Sequence, residues 1–213
     1  MLVITGTQRS GTTMIAEMIS MEGYNMGISN RDEVGGFENV DICSFYRDYL
    51  GDETFPYDDF PHKTKARTGK DAHFTHLVAD FAFLDLPVVK FSYLLMNPVF
   101  MSVWHKFRPE DAYHDTFLVL KRNPAHVIRS KKLRRERFDH DSFLLKQSWA
   151  SLEQNFEMSL DALADYGYKF VVTPFENIIN DWRINLYLEQ ITDIRITHST
   201  WDKIFDPDKI HFI

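Results

Sequence analysis

Cysteine is nearly absent: Cys43 stands alone in the chain, so no disulfide can close within it and no multi-cysteine zinc pattern is available. A reducing compartment is expected. No apolar run approaches the roughly 20 residues that a membrane-spanning helix needs, so no membrane span is expected. Positive charge is also short, with 24 Lys and Arg against 31 Asp and Glu and a net charge of −7. That balance excludes a surface devoted as a whole to nucleic acid or to an anionic membrane. An anionic ligand must be met locally, by a cluster of cations. Met1-Leu2-Val3-Ile4 runs straight into a glycine loop, so no secretory leader is expected and the expected location is the cytoplasm.

What is present is enough for one core. The 213 residues are 44% hydrophobic and 15% aromatic, which suits a single domain over residues 1–213. Short apolar runs rich in β-branched and aromatic residues predict strands at Leu2 to Thr5, Pro87 to Phe91, Thr116 to Leu120 and Lys169 to Thr173. Lacking polar alternation, they suit a parallel sheet covered on both faces. The intervening segments read as helical crossovers. Met14, Ile15, Met18 and Ile19 share a face, and Leu145, Trp149, Leu152, Phe156, Leu160 and Leu163 recur at helical spacing. Asp141 or Ser142 is expected to start that second helix and Gly167 to close it. Residues 51–70, with Gly51, Pro56, Pro61 and Gly69, predict a loop bordering the site.

Between the first strand and first helix lies Gly6-Thr7-Gln8-Arg9-Ser10-Gly11-Thr12-Thr13. A glycine-rich turn there can aim backbone N–H groups and a helix N-terminus at a phosphate. The spacing matches the phosphate loop of nucleoside triphosphatases, except that Thr12 stands where their lysine reaches the β- and γ-phosphates. A loop holding one 5′-phosphate with an attached sulfuryl group has less charge to neutralise, and Arg9 can supply it. Gln8-Arg9-Ser10-Gly11-Thr12-Thr13 resembles the 5′-phosphosulfate loop of sulfotransferases. The resemblance implies a three-layer α/β fold of the P-loop type, with a central parallel sheet of four to five strands flanked by helices. It also implies that Arg9 contacts the bridging oxygen and leaving phosphate, while Ser10, Gly11, Thr12 and Thr13 cradle the phosphate and Gln8 lines the same loop.

A second signature follows the third predicted strand. Lys121-Arg122-Asn123-Pro124 reads as a strand end, a break and a helix start, and Ser130 lies eight positions after Arg122. The segment resembles the sulfotransferase 3′-phosphate motif, so Arg122 and Ser130 are expected to hold the phosphate that distinguishes 3′-phosphoadenosine 5′-phosphosulfate (PAPS) from ordinary adenine nucleotides. Eight of the 24 Lys and Arg residues fall between Lys121 and Arg137, a local cluster in an acidic chain. Most of these are read singly as a solvated helix face.

Sulfuryl transfer needs a base for the acceptor proton and cations for the leaving group. Gly35-Gly36-Phe37-Glu38-Asn39 resembles the stretch that carries the glutamate of bacterial sulfotransferases, which makes Glu38 the expected base. A second use is open to it, as a capping carboxylate for a helix over residues 39–50. Lys90 matches the family's lysine at the second strand end, where it steadies the bridging oxygen. Cytosolic members read Lys-Thr-His there, whereas this chain reads Lys90-Phe91-Ser92, and a serine is no base at neutral pH.

Val171 to Ile178 resembles the strand and turn that end the sulfotransferase core, and the segment is read as structural. The Arg-Lys-Gly loop with which many members grip the 3′-phosphate is absent. His73 and His76 have no carboxylate partner in metal-ligand spacing, so no metal is implied. Phe55 to Phe60 and Phe74 to Phe83 are either acceptor pocket or core. The expected partner is a small-molecule or carbohydrate acceptor, with oligomeric state undetermined. Two other readings stay open: a P-loop phosphotransferase, and an inactive protein that binds 3′-phosphoadenosine 5′-phosphate (PAP).

Overall fold

The computed structural model describes residues 1–7, 9–27, 37–39, 41–42, 86–92, 94–95, 98–108, 114–130, 149–179 and 182–205. Four strands form one all-parallel sheet: β1 (Leu2–Gly6), β2 (Val88–Lys90), β3 (Thr116–Lys121) and β4 (Lys169–Pro174), in the order β2-β1-β3-β4. Each coincides with an expected strand to within a residue or two at its ends. The fold is three-layer α/β, as the apolar runs imply. The expected loop over 51–70, the Phe74 to Phe83 stretch, Leu145 and the Asp141 or Ser142 cap all lie outside the described residues.

Alternation along the strands divides the core in two. Val3, Val89, Phe117 and Val119 face one side, where they pack with Phe100, Met101 and Trp104 of the Pro98–Phe107 helix and Phe156 and Leu163 of the Trp149–Asp165 helix. Leu2, Ile4, Val88, Leu118 and Leu120 face the other, against Ile15, Met18 and Ile19 of helix α1 (Thr12–Met21). Ile184, Leu188 and Ile191 of the Arg183–Ile191 helix and Trp201 of the His198–Ile204 helix complete that second layer. Each such side chain, fully buried, contributes about 1.5 to 3 kcal/mol. Among these residues the i, i+4, i+7 spacing of Ile184, Leu188 and Ile191 makes a single apolar stripe.

Gly167 ends the long helix as its sequence position suggests. Its φ is 76°, its N–H donates to the Ala164 carbonyl at 3.0 Å, and Tyr168 N donates to Leu163 O at 3.0 Å. These are the paired bonds of a Schellman ending.

The strand order fixes where a ligand can sit. From β1 the chain passes into α1 on one face; after β3 it feeds the Trp149–Asp165 helix on the other. The connections part between β1 and β3, which opens a crevice at the carboxyl ends of those two strands.

At the opposite end, Asp115 fastens β3 to the Pro98–Phe107 helix. Arg108 donates to it through Nε at 2.8 Å and Nη2 at 3.1 Å, and Trp104 Nε1 adds a third bond at 3.1 Å. All three groups are buried. Asp115→Ala leaves a buried guanidinium without its carboxylate, a change that costs roughly 3 to 5 kcal/mol. In a domain this size the unfolding midpoint should fall by roughly 6 to 20 °C. A fall of only about 1 °C in a thermal scan would show that this pair holds nothing together.

Candidate anion site at the carboxyl ends of β1 and β3

β1 leaves the sheet at Gly6, where no side chain fits. A Cβ there would lie 2.1 Å from the Leu120 carbonyl oxygen, and Gly6 has φ 154°. The next residue extends the ladder, with Thr7 N donating to Leu120 O at 2.8 Å. Gln8 lies outside the described residues. Arg9 then takes φ 59° and Gly11 φ 84°, two left-handed residues that curl the backbone before α1. For a non-glycine residue such as Arg9 that conformation costs roughly 1 to 2 kcal/mol.

α1 begins with Gly11 as its N-cap and has neither a side-chain cap nor an acid in its first turn. Such a helix start has unsatisfied N–H groups and a partial positive charge, which favour an anion. Ser10 adds a second sign. Its Oγ is fully buried and has no hydrogen-bond partner among the described residues. Leaving a hydroxyl in that state costs about 1 to 3 kcal/mol.

The second predicted segment meets this loop directly. Arg122 N donates to Thr7 Oγ1 at 3.0 Å, Arg122 Nη1 to Arg9 O at 2.8 Å, and Arg9 Nε to Ser130 Oγ at 3.0 Å. Arg9, Arg122 and Ser130, more than 110 residues apart in sequence across the two segments, thus share one corner of the sheet. Residues 124–130 are helical, and Asn123 caps their first turn through Oδ1 to Ala125 N at 2.9 Å. Pro124 opens that turn, where its missing N–H matters least.

Arg122 is buried, with its guanidinium carbon 4.9 Å from the centre of the Phe175 ring. Burial lowers its pKa from the ordinary guanidinium value, and the nearby Glu176 works in the opposite direction. Glu176 in turn accepts from Asn123 N at 3.1 Å and lies 3.0 Å from His126 Nδ1. Burial would raise its pKa, but hydrogen bonds from its own N–H, Asn123 and His126 together hold it below the ordinary 4.5.

A second constellation sits beside the first turn of α1. Glu38 Oε1 is 2.8 Å from Lys90 Nζ, and Glu38 Oε2 accepts from Ser92 N at 3.0 Å. Lys90 Nζ also donates to Thr13 Oγ1 at 3.0 Å, and the Thr12 and Ser92 hydroxyls are 3.1 Å apart. Glu38 and Lys90 are both buried. Asn39 N donates to the Lys90 carbonyl at 3.0 Å, which ties the Glu38 segment to the end of β2.

The capping use of Glu38 is not the one found. Asn39 Oδ1 accepts from Ile42 N at 2.9 Å at the start of the helical turn, while both oxygens of Glu38 point to Lys90 and Ser92. The shorter side chain next to the turn reaches its N–H, leaving the carboxylate for the cation.

Of the residues singled out in the sequence, Arg9, Ser10, Gly11, Thr12, Thr13, Glu38, Lys90, Arg122 and Ser130 all come together at the carboxyl end of the sheet. Thr7, Ser92, Phe175 and Glu176 were not among them. A further hydroxyl directly after Gly6 was the available signal for Thr7. The other three act through backbone donation, ring packing and a carboxylate on the turn after β4, none of which leaves a spacing to read. Chemically, the corner has two arginines, an uncapped helix start and buried hydroxyls for an anion, with a buried carboxylate–ammonium pair alongside.

The chain is by fold an α/β protein with a parallel sheet whose candidate site lies at the carboxyl ends of its strands. No protein-family model and no curated protein matches it.

Lys90→Met leaves Glu38 buried without its ammonium partner and should lower stability by roughly 3 to 5 kcal/mol. Adding Glu38→Gln should recover most of that loss, because the uncompensated charge goes with it. Denaturant midpoints of the two singles and the double decide the matter; strictly additive losses would mean that the pair is not coupled.

Proposed function

We propose that the protein is a sulfotransferase, transferring the sulfuryl group of PAPS to a hydroxyl or amine of a small-molecule or carbohydrate acceptor in the cytoplasm. One observation carries the reading. The two segments that resemble the family's 5′-phosphosulfate and 3′-phosphate motifs are joined by the Arg9–Ser130 and Arg122–Arg9 hydrogen bonds. They meet beside an uncapped helix start and the partnerless hydroxyl of Ser10. That donor set fits a nucleotide with phosphates at both the 5′ and 3′ positions.

On this reading PAPS supplies an activated sulfuryl group and a phosphate leaving group. Ser10, Thr12, Thr13 and the N–H groups of the loop bind the 5′ side, and Arg122 with Ser130 binds the 3′-phosphate. Arg9 and Lys90 balance negative charge at the bridging oxygen as the sulfur–oxygen bond breaks. The acceptor's oxygen or nitrogen forms the new bond to sulfur, and its proton passes to Glu38. Glu38 is held in place by Ser92 N at one oxygen and by Lys90 at the other. For Oε1 to take a proton, Lys90 must transfer its contact toward the leaving group, so the same lysine both holds the base and frees it.

Thermal unfolding with PAP, ADP and magnesium-ATP in parallel tests the assignment. A ligand at about 100 times its dissociation constant adds roughly 2.7 kcal/mol, or about 5 to 11 °C here. PAP should give such a shift and ADP, which lacks the 3′-phosphate, a smaller one, and Arg122→Ala should remove the difference. With PAPS and an acceptor found by screening, Glu38→Gln should keep the PAP shift and lose turnover. A shift with magnesium-ATP alone would replace this reading with a phosphotransferase. PAP binding with no turnover of any acceptor would leave a nucleotide-binding protein.

A further inference from the structure

The turn that follows β4 touches both halves of the anion site. Phe175 is buried with its ring against Gly11: a Cβ on Gly11 would lie 2.2 Å from a ring carbon. The other side of the contact is Arg122, whose guanidinium stands over the same ring at 4.9 Å. One aromatic ring thus sets the separation between the phosphate loop and the cation after β3.

Glu176 acts one residue further on. Its Oε1 receives Asn123 N at 3.1 Å and lies 3.0 Å from His126 Nδ1, so it pins the first turn of the helix over residues 124–130. Ser130, at the other end of those residues, receives Arg9 Nε at 3.0 Å. The circuit closes from Gly11 through Phe175, Arg122 and the Arg9 backbone to Ser130, and back along the helix to Glu176. A helix pinned at one end can deliver its far hydroxyl to one place; released, it can tilt or slide along its axis.

We propose that Phe175 and Glu176 are positioning residues that fix the distance between the two phosphate-binding segments. The identity of the ligand rests on the sulfotransferase reading, but the positioning itself does not. A ligand that bridges both segments should depend on Glu176, whereas one that occupies the loop alone should not.

Two readouts test this in the full chain. By calorimetry, Glu176→Ala should weaken PAP at least about tenfold, the loss of one charge-assisted hydrogen bond's worth of alignment, with ADP changed by less than about threefold. By nitrogen-15 spectroscopy of arginine side chains, the Arg9 Nε–H should exchange faster with solvent in Glu176→Ala. The Arg108 Nε–H, bound to Asp115 at the opposite end of the sheet, should keep its wild-type rate. Glu176→Gln, which can still accept from Asn123 N, should restore most of the Arg9 protection. Failure of the wild-type protein to bind PAP would overturn the sulfotransferase reading, and the Arg9 exchange rates would still decide the positioning role. Unchanged Arg9 exchange in Glu176→Ala would overturn that role, as would faster exchange at Arg9 and Arg108 alike, which signals general loosening.

Discussion

The tight pairing of β1 with β3 at Gly6 and Leu120 is the constraint from which the site follows. With Thr7 N bonded to the Leu120 carbonyl and no room for a Cβ at Gly6, the two strands leave the sheet side by side. Beyond them the chain enters α1 on one face of the sheet, and the Trp149–Asp165 helix lies on the other. The space between is lined by whatever the first residues beyond each strand provide, here Thr7, Arg9 and Ser10 from one and Arg122 from the other. A bulkier residue at Gly6 would act on the site through backbone separation, without itself touching any ligand.

Electrostatics at this corner runs against the protein as a whole. A net charge of −7 disfavours an anion at long range, so capture must come from short-range groups whose fields are little screened because they are partly desolvated. Arg122 is held charged in a buried place by Glu176 nearby and by the face of Phe175. Lys90 sits buried against Glu38. The two cations differ in consequence. Lys90 is matched by a carboxylate at contact distance, whereas Glu176 spends its hydrogen bonds on Asn123 and His126, and Arg122 donates through Nη1 to the Arg9 carbonyl of the β1 loop. A compact ammonium that can change partners suits a moving charge; a fixed planar fork suits a phosphate.

Much of this was legible in the chain because the relevant signals are local. Four apolar runs gave four strands, and Gly167 closed its helix, because parallel strands buried on both faces and left-handed helix ends each demand particular residues at particular positions. The glycine loop after β1 and the Arg122–Ser130 spacing were legible for the same reason: consecutive residues build each half. How the halves meet was not. The Arg9–Ser130 bond joins positions 121 apart, and nothing in either segment says that a side chain of one will reach the other. Glu38 shows the limit from the other direction. Its sequence neighbours allowed a helix cap, and only the three-dimensional position of Lys90, which β2 delivers next to α1, shows that its oxygens are used elsewhere.

Phe175 and Glu176 were hidden for a different physical reason. An aromatic residue after a strand is the commonest kind of core residue, and an acid at the start of a short helical turn is an ordinary use of charge. Neither departs from what the local structure wants. Their effect arises because β4 pairs with β3 in a register that sets Pro174 beside Lys121, which brings the turn after one strand against the segment after the other. Register is a property of the whole sheet, fixed by which faces are buried. A residue can therefore satisfy every local preference and still determine the geometry of a distant site, and such residues emerge only when the strands have been put side by side.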